Sequence, residues 1–268
     1  MQKLSIAVPN GHLEKQVLAM LALVGILVAK AGRQFHYLVD HPLIGEVIFM
    51  RPQHMTWLVA EGKYDLAICG LDLYEEYNHN GARARDENRD RWCVKLGDFT
   101  GPKVEKSATR IVIFAGRKDP ANSAADIPSG AAVISEYPGL TCNWLRGAKL
   151  RPDKVIYPST GSTETHVPRD FRFGVCLTET GDSLESNKLK VIGKLLDTHP
   201  VLLSPSPEFR DMPEWKARAI GSMVRVFMEK GLLPAKENRF EISRWDHIHH
   251  CHPGCPEHYG TDGTYSFH

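Results

Sequence analysis

Short, almost wholly apolar segments separated by stretches of helical periodicity constrain this chain more than any other feature. Leu4-Ser5-Ile6-Ala7-Val8, Glu46-Val47-Ile48-Phe49-Met50 and Tyr64-Asp65-Leu66-Ala67-Ile68-Cys69 have the length and apolar content of buried strands. Pro9-Asn10-Gly11 turns the chain after the first, and Leu13 to Ala31 then carries apolar residues at helical spacing up to Gly32. Gln53 to Glu61 reads as a short helix before the third strand. Strands buried on both faces need helices to cover them, so the alternation predicts an α/β fold.

The rhythm repeats after a mixed-charge run between Asn78 and Arg91, which reads as solvated surface. Arg110 to Ala115, Ala131 to Ser135, Val155 to Tyr157 and Phe173 to Leu177 are strand candidates, with a short helix from Leu140 to Arg146. Val191 to Leu196 and Pro200 to Leu203 read as closing strands. Trp215 to Lys230 reads as a helix with Trp215, Ala219, Met223 and Val226 on one face. With 268 residues, 42% of them apolar, the chain can bury the cores of two lobes. A formal net charge of +1 argues against a nucleic-acid surface. The apolar run from Val17 to Lys30 is too short to cross a membrane and no basic stretch precedes it, so a cytoplasmic protein without a membrane partner is expected. Six cysteines are few for a disulfide framework and fit reduced thiols.

Two stretches carry chemistry. The run Thr178-Glu179-Thr180-Gly181-Asp182-Ser183-Leu184 lies between an apolar strand and a helix-like segment. A glycine there admits close backbone approach, a helix start directs free N–H groups outward, and hydroxyls add donors, a combination suited to phosphate. An ordinary strand-to-helix turn with a serine cap has the same local pattern. The second stretch is the tail from His247 to His258. His249, Cys251, Cys255 and His258 would supply four nitrogen and sulfur ligands of the kind zinc or iron prefers, with Pro253-Gly254 forming the turn between them. A His-rich terminal tail that binds metal adventitiously is the competing reading.

The order of short motifs along the chain is similar to a known family. Ile6-Ala7-Val8-Pro9-Asn10, Arg51 with Leu58 to Asp72, Ser135-Glu136-Tyr137-Pro138-Gly139-Leu140-Thr141, Gly161-Ser162-Thr163-Glu164 and the Thr-Gly loop together resemble ATP phosphoribosyltransferase, which opens histidine biosynthesis. The resemblance implies a two-lobed α/β fold like that of type II periplasmic binding proteins, with a central cleft. Residues 1–101 plus 185–230 would form the first lobe, 102–184 the second with the phosphate loop, and 231–268 a His/Cys-rich tail. That tail is too short to resemble the regulatory domain of the long-form enzymes, so histidine feedback through such a domain is not expected.

The same resemblance implies transfer of ribosyl 5-phosphate from phosphoribosyl pyrophosphate to a nitrogen of ATP or a related acceptor, with Mg2+ and release of pyrophosphate. It names no catalytic acid or base. It would give Glu179, Thr180, Gly181, Asp182, Ser183 and Leu184 to the 5-phosphate, set Arg51 and Gly70 on the first-lobe side toward phosphates or nucleotide, and line the second-lobe side with Ser162 and Glu164. Asp72 reads as a helix cap rather than a substrate contact. A homo-oligomer follows by analogy.

Departures from the family pattern remove charge. Asn10-Gly11-His12-Leu13 stands where a basic turn is usual, and Cys176 and His54 each stand where an acid is usual. Thr141-Cys142-Asn143 replaces a more basic sequence. Cys69, Cys142 and Cys176 fall at positions expected to open on the cleft, although cysteine at a strand end is more often small apolar filler. An alternative to the transferase is therefore a ligand-binding or metal-binding protein that reuses the scaffold with a thiol-bearing cleft and a tail site.

Overall fold

A computed structural model describes residues 2–30, 32, 34–79, 92–100, 109–128, 130–147, 156–206 and 212–234. The tail positions His249, Cys251, Cys255 and His258 lie outside the described residues, as does most of the mixed-charge run.

Among the described residues, eleven strands divide between two sheets. The first contains β1 (Leu4–Pro9), β2 (His36–Leu38), β3 (Ile44–Met50), β4 (Leu66–Gly70), β5 (Cys93–Asp98) and β11 (Pro200–Pro205), in the order β2-β3-β1-β4-β11-β5. Within it β3, β1 and β4 are parallel, and β11 runs antiparallel to both β4 and β5. Helices α1 (Glu14–Leu23) and α6 (Glu214–Glu229) cover one face, where Val17, Met20, Leu21, Ile220, Met223 and Phe227 pack on Ile6, Val8 and Val47. The other face packs under α2 (Met55–Ala60) and α3 (Leu71–His79). Both faces of β1 are thus covered, which is why its six residues are all buried. Asp65 stitches this lobe: its carboxylate accepts the amide and hydroxyl of Ser5 at 2.8 and 3.0 Å and pairs with Lys216 of α6 at 2.6 Å.

The second sheet holds β6 (Arg110–Gly116), β7 (Val133–Ser135), β8 (Ile156–Pro158), β9 (Phe173–Thr178) and β10 (Leu189–Asp197), in the order β10-β6-β9-β7-β8. Here β9, β7 and β8 are parallel. Helix α4 (Pro138–Gly147) contributes Leu140 and Leu145 to the core on one face. Leu184 of the short helix α5 (Asp182–Ser186) packs on the other with Val112, Phe114 and Cys176.

Two details differ from the sequence reading. Helix α1 stops at Leu23 instead of continuing to Ala31, because Gly25 at φ +83° ends it: the Gly25 and Ile26 amides turn back to the Ala22 and Leu21 carbonyls, 3.1 and 2.9 Å away. The return to the first sheet also comes later than residue 185. β10 pairs antiparallel with β6 throughout, so 189–197 belongs to the second sheet and the chain crosses back only at Thr198 and His199. The outward crossing lies between β5 and β6, and the Thr198 amide donates to the Thr109 carbonyl at 3.0 Å, bonding the two crossings together. His199 reinforces them through a 2.8 Å contact to Asp98, whose carboxyl this hydrogen bond first, and Lys95 after it, hold down at about 2.

Candidate active site in the cleft

Parallel strands end on one edge of a sheet, and ligands of open α/β sheets collect beyond the carboxyl ends of such strands. In the second lobe that edge carries Glu136 after β7, the turn Gly161–Glu164 after β8 and the Thr-Gly loop after β9. In the first it carries Arg51 after β3 and Gly70 with α3 after β4.

The Thr-Gly loop is exposed. Gly181 holds φ at +90°, and a Cβ built there would meet nothing within 4 Å. Backbone conformation, not crowding, therefore demands the glycine, and the space above it is open. The Thr180 hydroxyl accepts the Asp182 amide at 3.3 Å, and α5 begins at Asp182, where the first amides of a helix lack intrahelical acceptors. Glu179, Thr180, Asp182 and Ser183 are exposed. Leu184 is not a surface contact: its side chain is buried in the core and anchors the loop from below.

Ser183 and Glu164, 19 positions apart in sequence, are brought together: the Ser183 hydroxyl donates to Glu164 Oε1 at 3.1 Å. Ser162 stands at φ +56° beside Gly161 at +143°, a left-handed turn that presents the next backbone segment. Thr163 is buried, its hydroxyl donating to the Val175 carbonyl at 3.2 Å, so Glu164 is held firmly against β9. Glu136 joins this wall. Partial burial first, then Glu164 and Asp72, raise its carboxyl from an ordinary 4.5 to about 7, against the stabilising pull of the Thr163 amide. No role was assigned to Glu136 from sequence, although it lay in plain view within the Ser135–Thr141 motif.

The thiols do not form a reactive cleft. Cys69 is 0% and Cys176 1% exposed, and burial pushes both thiols up, Cys69 with help from Cys93 and Asp72, Cys176 with help from Glu164 and Glu136. Each lies within a strand and packs as a small apolar side chain, Cys69 against the Cys93 cluster and Cys176 beside Phe114. Cys142, on α4, is the partly exposed one. Among the described residues no group of three or more histidine, cysteine, aspartate or glutamate side chains could hold a metal ion.

Arg51 opens on an open cavity of about 420 Å³ at the end of β3, lined also by His36, Phe49, His54, Trp57 and Tyr64. Aromatic walls beside one guanidinium suit a flat heterocycle that carries negative charge. Gly70 has a different reason to be glycine: a Cβ there would lie 2.1 Å from Asp72 Oδ1. Asp72 is not a simple cap. Its carboxylate accepts the Thr198 hydroxyl at 2.6 Å and the Tyr137 hydroxyl at 2.9 Å, from the crossing and from the second lobe.

Comparison with known proteins agrees with this architecture. The family model for ATP phosphoribosyltransferase matches residues 51–225, a span that takes in Arg51, Glu136, Glu164 and the Thr-Gly loop. An ATP phosphoribosyltransferase of Pelodictyon phaeoclathratiforme is 25% identical over 227 residues, covering 85% of this chain and 71% of that protein. One from Methanothermobacter thermautotrophicus is 30% identical over 209 residues, covering 75% of this chain and 64% of that protein. Among solved structures, the ATP phosphoribosyl transferase (HisG:HisZ) complex from Thermotoga maritima aligns at a TM-score of 0.61 with 20% identity, over 85% of this chain and 98% of that one. The periplasmic aliphatic sulphonate binding protein SsuA from Escherichia coli aligns at 0.54 with 15% identity, over 93% and 79%. The last two carry the fold: two α/β lobes of the periplasmic-binding-protein type.

Proposed function

The chain belongs to the ATP phosphoribosyltransferase family, and on that premise we propose that it transfers the ribosyl 5-phosphate of phosphoribosyl pyrophosphate to N1 of the adenine of ATP. The nitrogen attacks the anomeric carbon, the bond from that carbon to the pyrophosphate oxygen breaks, and pyrophosphate leaves with the bonding pair. Little acid or base help is needed. Rate comes from holding two polyanions still and from stabilising charge on the leaving group.

The observation that carries the donor end of this reading is the loop at Thr178–Leu184. It sits at the carboxyl edge of a parallel sheet, with left-handed Gly181, exposed hydroxyls of Thr180 and Ser183, and the start of α5 beside them. We assign it the 5-phosphate. The cavity at Arg51 is assigned the acceptor, with the base against Trp57 and Tyr64 and the phosphates toward the guanidinium. The buried Cys69 and Cys176, together with family membership, favour a transferase over a ligand-binding protein with a thiol cleft.

Magnesium enters as part of the proposal. The described residues supply no cage for a resident ion, and magnesium characteristically binds through substrate phosphates with one or two carboxylates and waters. The donor's pyrophosphate oxygens with Glu164 fit that pattern, and the ion would neutralise charge on the leaving group. The four described cysteines are free thiols, which favours a reducing, cytoplasmic setting. Among the described residues no helix is long and apolar enough to cross a membrane. The Thermotoga relative was solved within a HisG:HisZ complex, and an assembly, of copies of this chain or with a second chain, is proposed here too.

The test is pyrophosphate release from phosphoribosyl pyrophosphate on addition of ATP and Mg2+. Turnover is expected, with Ser183→Ala raising the donor KM about tenfold for one lost hydrogen bond to charged phosphate. No release with ATP would overturn the choice of acceptor.

A further inference from the structure

Two chain crossings by themselves make a hinge, and a hinge lets two lobes rotate. This protein adds a third connection, built from α3 of the first lobe and α4 of the second. Asp72 and Glu76 stand one helical turn apart on α3 and so face the same way. Asp72 Oδ2 accepts the Tyr137 hydroxyl at 2.9 Å, and Asp72 Oδ1 accepts the Thr198 hydroxyl at 2.6 Å. That same hydroxyl oxygen accepts the Asp72 amide at 3.1 Å. Glu76 then takes the start of α4 in a fork, Oε1 accepting the Gly139 amide at 2.9 Å and Oε2 the Leu140 amide at 2.8 Å. Amides at a helix start need an acceptor from elsewhere, and here a carboxylate of the opposite lobe supplies it.

Asp72, Tyr137 and Thr198 are all buried. Hydrogen bonds to a buried carboxylate are costly to break, because the charge is then left without partners. Gly70 shows that the arrangement is built in, since any side chain there would collide with the Asp72 carboxylate. The clasp also reaches the cleft wall. Tyr137 is pinned from behind by its amide, which donates to Ser135 Oγ at 2.9 Å, and Ser135 Oγ in turn meets Thr141 Oγ1 of α4 at 2.8 Å. Glu136 lies between these two anchored residues and has little freedom to move independently of them.

The geometry points to Asp72 and Glu76 as positioning residues for the transfer: by bolting Tyr137 and the start of α4 to the first lobe, they hold the two cleft walls at one separation. On the reading proposed above, donor and acceptor bind opposite walls, so this separation sets the distance from the attacking nitrogen to the anomeric carbon. Reactions of this kind lose rate steeply with misplacement of the order of an ångström. Loosening the clasp therefore lowers kcat while each substrate still finds its own lobe, and KM for the donor moves little.

The experiment separates the clasp from the activity. Ketone-bearing residues placed at the exposed edge-strand position 38 and at exposed position 169, and spin-labelled through the ketone, spare the native thiols and report the distance between lobes by pulsed electron resonance. Wild type is expected to give one narrow distance distribution without substrates, whereas Tyr137→Phe and Glu76→Gln broaden it. Thr198→Val is expected to behave like Tyr137→Phe, and Thr198→Ser, which keeps the hydroxyl, like wild type. In turnover, Tyr137→Phe and Glu76→Gln are expected to lower kcat about tenfold or more with donor KM within about twofold. An unchanged distance distribution in both variants overturns the clasp, and so does a loss confined to KM. Should wild type show no turnover with ATP, the acceptor assignment fails while the distance measurement still decides the clasp.

Discussion

The Thr-Gly loop and the α3–α4 seam make an instructive pair, for each is a strand end followed by a helix, and they use their polar groups in opposite ways. At 178–184 a left-handed glycine faces open space, and the exposed Thr180 and Ser183 hydroxyls meet only partners of their own lobe, the Asp182 amide and Glu164. At 70–76 the carboxylates of Asp72 and Glu76 are already engaged by a tyrosine, a threonine and two amides of the other lobe. Both have a glycine at the bend, one for its backbone angle and the other for the space it leaves. The comparison separates an exposed loop from a joint whose polar groups are satisfied within the protein.

Substituting the two glycines gives the sharpest break between these regions. Gly70→Ala must expel the Asp72 carboxylate from its pocket, and a loss of about 3 kcal/mol is expected in denaturant unfolding. Gly181→Ala meets no atom but holds an unfavourable backbone angle, so about 1 kcal/mol is expected, together with a raised donor KM. Equal losses at the two positions would erase the distinction.

Glu136 lies where the two regions meet, and its charge sharpens the comparison through pH. A carboxyl raised from 4.5 to about 7 favours the folded state while protonated, so that contribution is present below about pH 4.5 and is lost as pH rises through 7. Glu136→Gln cannot ionise. It is expected to be more stable than wild type above pH 7, by about 1–2 kcal/mol for a carboxyl partly screened by solvent, with the gap closing toward pH 5. Thermal unfolding of both proteins across that range checks the sign; a gap that widens at low pH contradicts it.

The smallest effect concerns the thiols and leaves stability untouched. Brief alkylation of the native protein followed by peptide mass spectrometry is expected to modify Cys142 and spare Cys69, Cys93 and Cys176, whose burial both blocks access and disfavours the thiolate. Rapid labelling of Cys176 would mean that the wall behind the loop opens, and that the contrast between a yielding loop and a closed joint is misplaced.

Much of the fold was legible because burial on two faces writes itself into local sequence. Leu4–Pro9, Leu66–Gly70 and Phe173–Thr178 are strands where unbroken apolar runs predicted them. Helix α1 was overread because apolar periodicity continues through Val24 and Ile26, and only the backbone of Gly25 ends it. The edge strand β2, three residues long, and β5, which begins beside the charged run, left no comparable periodic signal. The Thr-Gly loop was visible as a motif, whereas Leu184 within it is a buried anchor.

What the amino-acid sequence by itself determined is local: which segments are strands, where a strand passes through a Thr-Gly turn into a helix, and which family the ordered motifs match. Only the tertiary structure decided which sheet β10 joins, that Cys69 and Cys176 are sealed, and that Asp72 reaches Tyr137 across 65 positions of chain. The physical reason is range. Strand, helix and turn preferences act between near neighbours, while sheet membership and a carboxylate's choice of partner depend on groups that folding brings together from distant parts of the chain.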